Sequence, residues 1–146
     1  MVYISLISKS IILSVGIIVL SVIGFLLSLY SYYVERQFCK TKKKAICDIN
    51  DKISCTKAFT SIYGKTFGIS NSIYGMVFYL VILILSFYNL KYVFYLSILA
   101  VLSSVYLAYT LYFKVKSFCI VCNSIYLVNI LLLILSYYYT SIFVGF

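Results

Sequence analysis

Four long stretches without a charged side chain divide this sequence: Ser10 to Val34, Thr66 to Leu90, Tyr92 to Phe113 and Ser117 to Phe146. Each reaches the roughly 20 residues with which a helix crosses about 30 Å of hydrocarbon. A chain of 146 residues that is 64% hydrophobic and 10% charged cannot hide that much apolar surface in a water-soluble fold, so lipid is the solvent for much of it. The sequence predicts an all-α integral membrane four-helix bundle, one domain over 1–146, with spans near 11–30, 72–89, 92–112 and 119–138. A cleaved signal peptide is the competing reading of the first span, but the run is too long and no small-x-small site follows it. Many of the 17 tyrosines fall near the expected span ends, as Tyr30, Tyr92, Tyr112 and Tyr137 do, which is the pattern of an interfacial aromatic belt.

One connection is long. The loop expected at 31–70 holds every acidic residue (Glu35, Asp48, Asp51), eight of the twelve basic residues and three of the five cysteines. Gly64, Gly68 and the Asn71-Ser72 pair punctuate its return to the membrane, where a polar side chain can cap the second helix. No repeat, low-complexity tract or proline points to a second domain.

Cysteine placement carries the chemistry. Cys119-Ile120-Val121-Cys122 opens the fourth span, and a three-residue offset puts both sulfurs on one helical face, within reach of a disulfide. A helix start carries partial positive charge, which favours thiolate and makes such a pair redox-competent. Cysteine packing as a small hydrophobe is the bland reading of one such pair. A second pair, Cys47 and Cys55, lies in the loop with seven residues between them, suited to a segment that folds back over the helix ends. With simply alternating spans, the loop and the turn before the fourth span emerge on one side of the bilayer, so two dithiols can form a relay there. The resting pairing among five cysteines stays open, since four sulfurs alone allow three complete pairings.

Structural zinc fits poorly, because the chain has no histidine and only one closely spaced cysteine pair; no metal is expected. The spans hold no haem-ligation pattern and no glycine-rich dinucleotide fingerprint. A lipid-dissolved quinone needs only an apolar slot and one or two hydrogen-bond donors. Asn71, Tyr126 and the cysteines are the candidates.

The order Cys47-Asp48, Ser54-Cys55, Phe59, Ser61, Ser70-Asn71-Ser72-Ile73-Tyr74-Gly75 and Cys119-Ile120-Val121-Cys122 with Tyr126 resembles the vitamin K epoxide reductase family and its bacterial and archaeal homologues. The resemblance implies a four-helix bundle enclosing a quinone (ubiquinone, menaquinone or similar), capped by the loop. It gives Cys122 the place facing the quinone, and Cys119 the bond to Cys122 and the exchange with Cys55. Cys47 and Cys55 take electrons from an external dithiol. Asn71 and Tyr126 match positions that hydrogen-bond the quinone oxygens, and Phe59 and Ser61 match the cap of the pocket. Each has a plain alternative: Asn71 as a helix cap, Tyr126 and Phe59 as packing, Ser61 as a turn residue. The short segment between Ser61 and Asn71 resembles microbial members, for which an epoxide substrate is not expected. The sequence ends at Phe146, so the expected donor is a separate thioredoxin-like protein rather than a fused domain. Cys39 matches no position of the family.

Charge gives an orientation. Ten basic residues fall on the cysteine side and two, Lys9 and Lys91, on the other, which by the positive-inside rule places the active cysteines in the cytoplasm. Family analogy places them outside it. The basic loop shows no pattern of nucleic-acid binding. The expected function is that of a membrane thiol:quinone oxidoreductase. One rival is a non-enzymatic four-span scaffold with a loop stapled by Cys47 and Cys55; another is the unrelated bacterial quinone-linked disulfide oxidase, whose cysteine order along the chain differs.

Overall fold

A computed structural model describes residues 1–144. Four of its helices are long and apolar enough to cross a membrane: α1 (Val2–Thr41), α3 (Asn71–Tyr88), α4 (Leu90–Tyr109) and α5 (Ile120–Val144). The short α2 (Cys55–Thr60) lies in the extramembrane loop, and α4 is continued by a wider helical turn over Thr110–Val115. Helix α1 packs on α3 and α5, and α4 packs on α5 with a lighter contact to α3. The all-α membrane bundle expected from the charge pattern is the fold found.

The first helix corrects the expected boundaries. It runs well beyond 11–30 at both ends, about 60 Å at 1.5 Å per residue, so the first eleven residues of the supposed 31–70 loop are helical. No proline or glycine interrupts them, and Glu35, Arg36, Gln37 and Lys40 are good helix formers. Ser31, Val34 and Glu35 stay buried against the rest of the molecule, so this part of the helix keeps a packing partner beyond the apolar run. It stops where Lys42 turns left-handed (φ 52°) and sends its N–H to the Phe38 carbonyl at 2.9 Å.

Small side chains let the helices approach. Ser21, Gly24, Ser28 and Ser31 form a buried stripe on α1, and Ser97, Ala100 and Ser104 form one on α4. The hydroxyls of Ser21 and Ser97 bond back to the Ile17 and Val93 carbonyls at 2.7 Å, so their burial in an apolar medium leaves no donor idle. Deeper in the bundle the Tyr79 hydroxyl donates to Asn129 Oδ1 at 2.7 Å, and Asn129 Nδ2 donates to Ser104 Oγ at 2.8 Å. That chain links α3, α5 and α4 within the bundle interior.

The loop folds against one end of this bundle. A two-residue hairpin pairs β1 (Lys65–Thr66) with β2 (Ile69–Ser70), and its turn residues Phe67 and Gly68 both have positive φ (53° and 81°), the geometry of a type I′ turn. Ser70 caps α3, its hydroxyl accepting from the Ser72 amide at 3.3 Å. Asn71, expected as the cap, is instead the first residue of the helix.

Candidate active site

Two backbone segments bring the cysteine pairs together. Residues Lys52–Ser54 of the loop run parallel to Ser117–Phe118, which precede α5. Phe118 N donates to the Lys52 carbonyl at 2.7 Å, and Ser54 N donates to the Phe118 carbonyl at 3.0 Å. The Ser117 hydroxyl adds a bond to the Ser54 carbonyl at 3.1 Å. Cys55 and Cys119 each follow this bridge directly. Both are 0% exposed, and both belong to one apolar cluster with Val34, Ala58, Phe59, Leu111 and Val121, against which Cys47 and Cys122 also pack.

Local chemistry fixes each pair. Cys47 and Cys55 are joined in a disulfide. Ser54 caps α2, its hydroxyl accepting from the Lys57 amide at 3.1 Å, while Asp48 Oδ1 accepts from the Thr56 amide at 3.1 Å. Burial raises the Asp48 pKa, but hydrogen bonds from Thr56, the Ser54 hydroxyl and the Cys55 amide outweigh it and hold the carboxyl below its ordinary range. The loop around Cys47 is thus pinned to the start of α2 by a carboxylate. Cys47, Asp48 and Cys55 place their ligand-type atoms within 4.8 Å of one another, yet with the sulfurs joined only a carboxylate is left to offer a cation. Cys119 stands at the start of α5, its sulfur accepting from the Cys122 amide at 3.3 Å and its carbonyl from the Asn123 amide at 3.0 Å. Both thiols of this second pair are free. Tyr112 at the end of α4 donates to Asn123 Oδ1 at 2.7 Å, which fixes the approach of α4 to this helix start.

The other candidates are spread around the same end of the bundle. Phe59 is buried within the cysteine cluster. Ser61 accepts from the Gly64 amide at 3.2 Å and donates to the Ala58 carbonyl at 3.0 Å, the bonds of a turn residue. Tyr126, one turn beyond Cys122 on α5, is half-buried. Asn71 is engaged with the hairpin: its Oδ1 accepts from the Thr66 hydroxyl at 2.6 Å and its Nδ2 donates to the Tyr63 carbonyl at 3.2 Å. Cys39 is free and exposed near the end of α1, apart from the cluster.

Sequence reasoning missed the Lys52–Ser54 to Ser117–Phe118 bridge and the Asp48 contact to α2. Main-chain hydrogen bonds leave no residue pattern to read in the first case. In the second, Asp48 and Ser54 are both helix-capping residue types just ahead of Cys55, and that signal was available.

Fold and site together define a four-span membrane protein that gathers two cysteine pairs, one member of each fully buried, in one cluster at an end of its bundle. Residues 15–137 match the model of the vitamin K epoxide reductase family. The chain is 35% identical over 132 residues to vitamin K epoxide reductase complex subunit 1 of Mus musculus, covering 78% of this chain and 82% of that protein. The Rattus norvegicus protein of the same name is 34% identical over the same shares. The chain belongs to the vitamin K epoxide reductase family, and with it to the membrane thiol-disulfide oxidoreductases that work with a quinone.

Proposed function

We propose that this chain oxidises a thioredoxin-like dithiol protein and passes the two electrons through Cys47/Cys55, then Cys119/Cys122, to a quinone in the membrane. The observation that carries the reading is the shared buried cluster, which Cys55 and Cys119 enter from the two strands of the backbone bridge. The reduced partner attacks the loop disulfide and leaves as a disulfide. Cys55 then attacks Cys119 of the second pair, Cys122 departs as thiolate, and Cys47 resolves the mixed bond. Electrons and protons balance as one dithiol oxidised for each dithiol formed.

The residues around the second pair suit a quinone. Leu27, Tyr30, Phe59, Leu111, Val121 and Ile125 supply apolar walls, and the Tyr126 hydroxyl offers a hydrogen bond one turn from Cys122. Asn71 is assigned to the other quinone oxygen; its amide has to exchange the Thr66 and Tyr63 bonds to reach it. Phe59 and Ser61 are assigned to the cap over the bound quinone. The quinone supplies a two-electron sink, and the protein supplies the nucleophilic sulfurs and the exclusion of water.

The test is quinone reduction by the purified chain in detergent, given a dithiol and a short-chain quinone. Steady turnover in the native chain and none in Cys122→Ser supports the reading; equal rates with and without protein favour the scaffold. Because the mouse and rat relatives are named for an epoxide, vitamin K epoxide belongs in the same assay. The short Ser61–Asn71 segment predicts that the quinone is the better substrate.

For orientation, the ten basic residues on the cysteine side assign that face to the cytoplasm. In intact cells a membrane-impermeant maleimide is expected to leave Cys39 unlabelled until the membrane is opened. Ready labelling before permeabilisation places the cysteines outside.

A further inference from the structure

Quinol formation needs protons as well as electrons, and the uncharged spans hold no carboxylate. The structure brings one to their edge. Glu35 is the first charged residue after the uncharged Ser10–Val34 run, yet it is only 7% exposed. It continues the buried α1 stripe of Ser21, Gly24, Ser28 and Ser31. Its neighbour Val34 packs in the cluster of Cys55 and Cys119. The Ser70 hydroxyl donates to the Glu35 carboxylate, and Ser70 directly precedes Asn71 at the head of α3.

Among the described residues no cation pairs with this carboxylate. The adjacent Arg36 turns to Tyr32, donating to its hydroxyl at 2.9 Å and lying over its ring. Among the described residues the one ion pair joins Lys57 and Asp51. A buried acid without a cation is costly in a low-dielectric setting, and at the edge of a membrane domain such a group is more often a functional residue than a structural one.

We propose that Glu35, acting through the Ser70 hydroxyl, relays a proton to the quinone oxygen on the α3 side of the site. The inference rests on the functional reading above. When the Cys119/Cys122 dithiol is oxidised, one S–S bond forms, two electrons leave the sulfurs and two S–H protons are lost. Two O–H bonds form on the acceptor. Cys119 immediately precedes α5 and Cys122 lies in its first turn, so one oxygen is served from that side. Glu35 takes up a proton from water at the membrane surface and hands it to Ser70 Oγ as the Ser70 hydroxyl proton moves to the other oxygen, and the remaining thiol proton is released to water.

Glu35→Gln separates a proton role from a packing role, because the amide oxygen still accepts from Ser70 but the side chain carries no transferable acid proton. In the full chain in detergent, Gln is expected to slow quinone-driven oxidation of the reduced Cys119/Cys122 pair at least about tenfold, with Asp restoring part of the rate. Reduction of Cys119–Cys122 by the loop thiols, followed by alkylation and mass, is expected to keep its native rate. The infrared difference spectrum between the oxidised and reduced chain is expected to show a carboxyl C=O band in the native protein that Glu35→Gln lacks. The native chain reports on the functional reading, and the ratio of variant to native reports on Glu35. Native speed and an unchanged band in Glu35→Gln overturn the proposal, as does a variant that slows thiol exchange as much as the quinone step.

Discussion

Cys55→Ser is expected to cut quinone reduction driven by a thioredoxin-like protein by on the order of a thousandfold, the scale on which loss of a nucleophile is felt. In the proposed relay the partner enters through Cys47, the half-buried sulfur of the loop disulfide, while Cys119 lies 0% exposed beneath the loop. Cys122 is only half-buried, and a small dithiol such as dithiothreitol can approach it. The same variant is therefore expected to keep a measurable fraction of its turnover with dithiothreitol, whereas Cys122→Ser loses turnover with every donor. The comparison is a rate assay with two donors and three proteins. Native partner-driven turnover in Cys55→Ser would remove the loop from the electron path.

Gly24→Val is expected to give the largest loss of stability. A Cβ at Gly24 overlaps three carbons of the Tyr79 ring. That ring cannot swing aside cheaply, because Tyr79 is 1% exposed and its hydroxyl is held by Asn129 at 2.7 Å. Overpacking costs about 1–3 kcal/mol, and losing the interhelical hydrogen bond adds roughly 0.6 kcal/mol. The thermal unfolding midpoint in detergent is expected to fall clearly below that of the native chain. Adding Tyr79→Ala, which empties the space, is expected to recover part of the loss, a non-additivity diagnostic of direct contact. An unchanged midpoint in Gly24→Val would mean that α1 and α3 do not pack through this position.

Much of this architecture is legible in the sequence because a membrane domain writes its boundaries in charge. The gaps at Lys91 and between Phe113 and Ser117 mark turns, since hydrocarbon excludes those side chains. The extension of α1 past Val34 is not legible in the same way. Its Glu, Arg, Gln and Lys read as a solvated loop, and only the buried Ser31, Val34 and Glu35 reveal a helix still in contact with the bundle. Span parity alone brings the loop and the start of the fourth span to one face. The main-chain bridge that brings Lys52–Ser54 to Phe118 has no side-chain signature. Glu35 and Ser70 are 35 residues apart, and Tyr79 and Asn129 are 50 apart. Contacts at that separation follow from the packing of whole helices, which no local pattern specifies.

The relay proposed above passes electrons directly between the two pairs through Cys55 and Cys119. Its most direct test is to trap that contact in a chain carrying Cys39→Ser, Cys47→Ser and Cys122→Ser, leaving Cys55 and Cys119 as the only thiols. After mild oxidation and digestion, mass spectrometry is expected to find the Cys55 and Cys119 peptides joined in high yield, and far less linkage when Cys122 is kept in place of Cys119. Absence of the Cys55–Cys119 linkage, or equal yield in both chains, would contradict the relay.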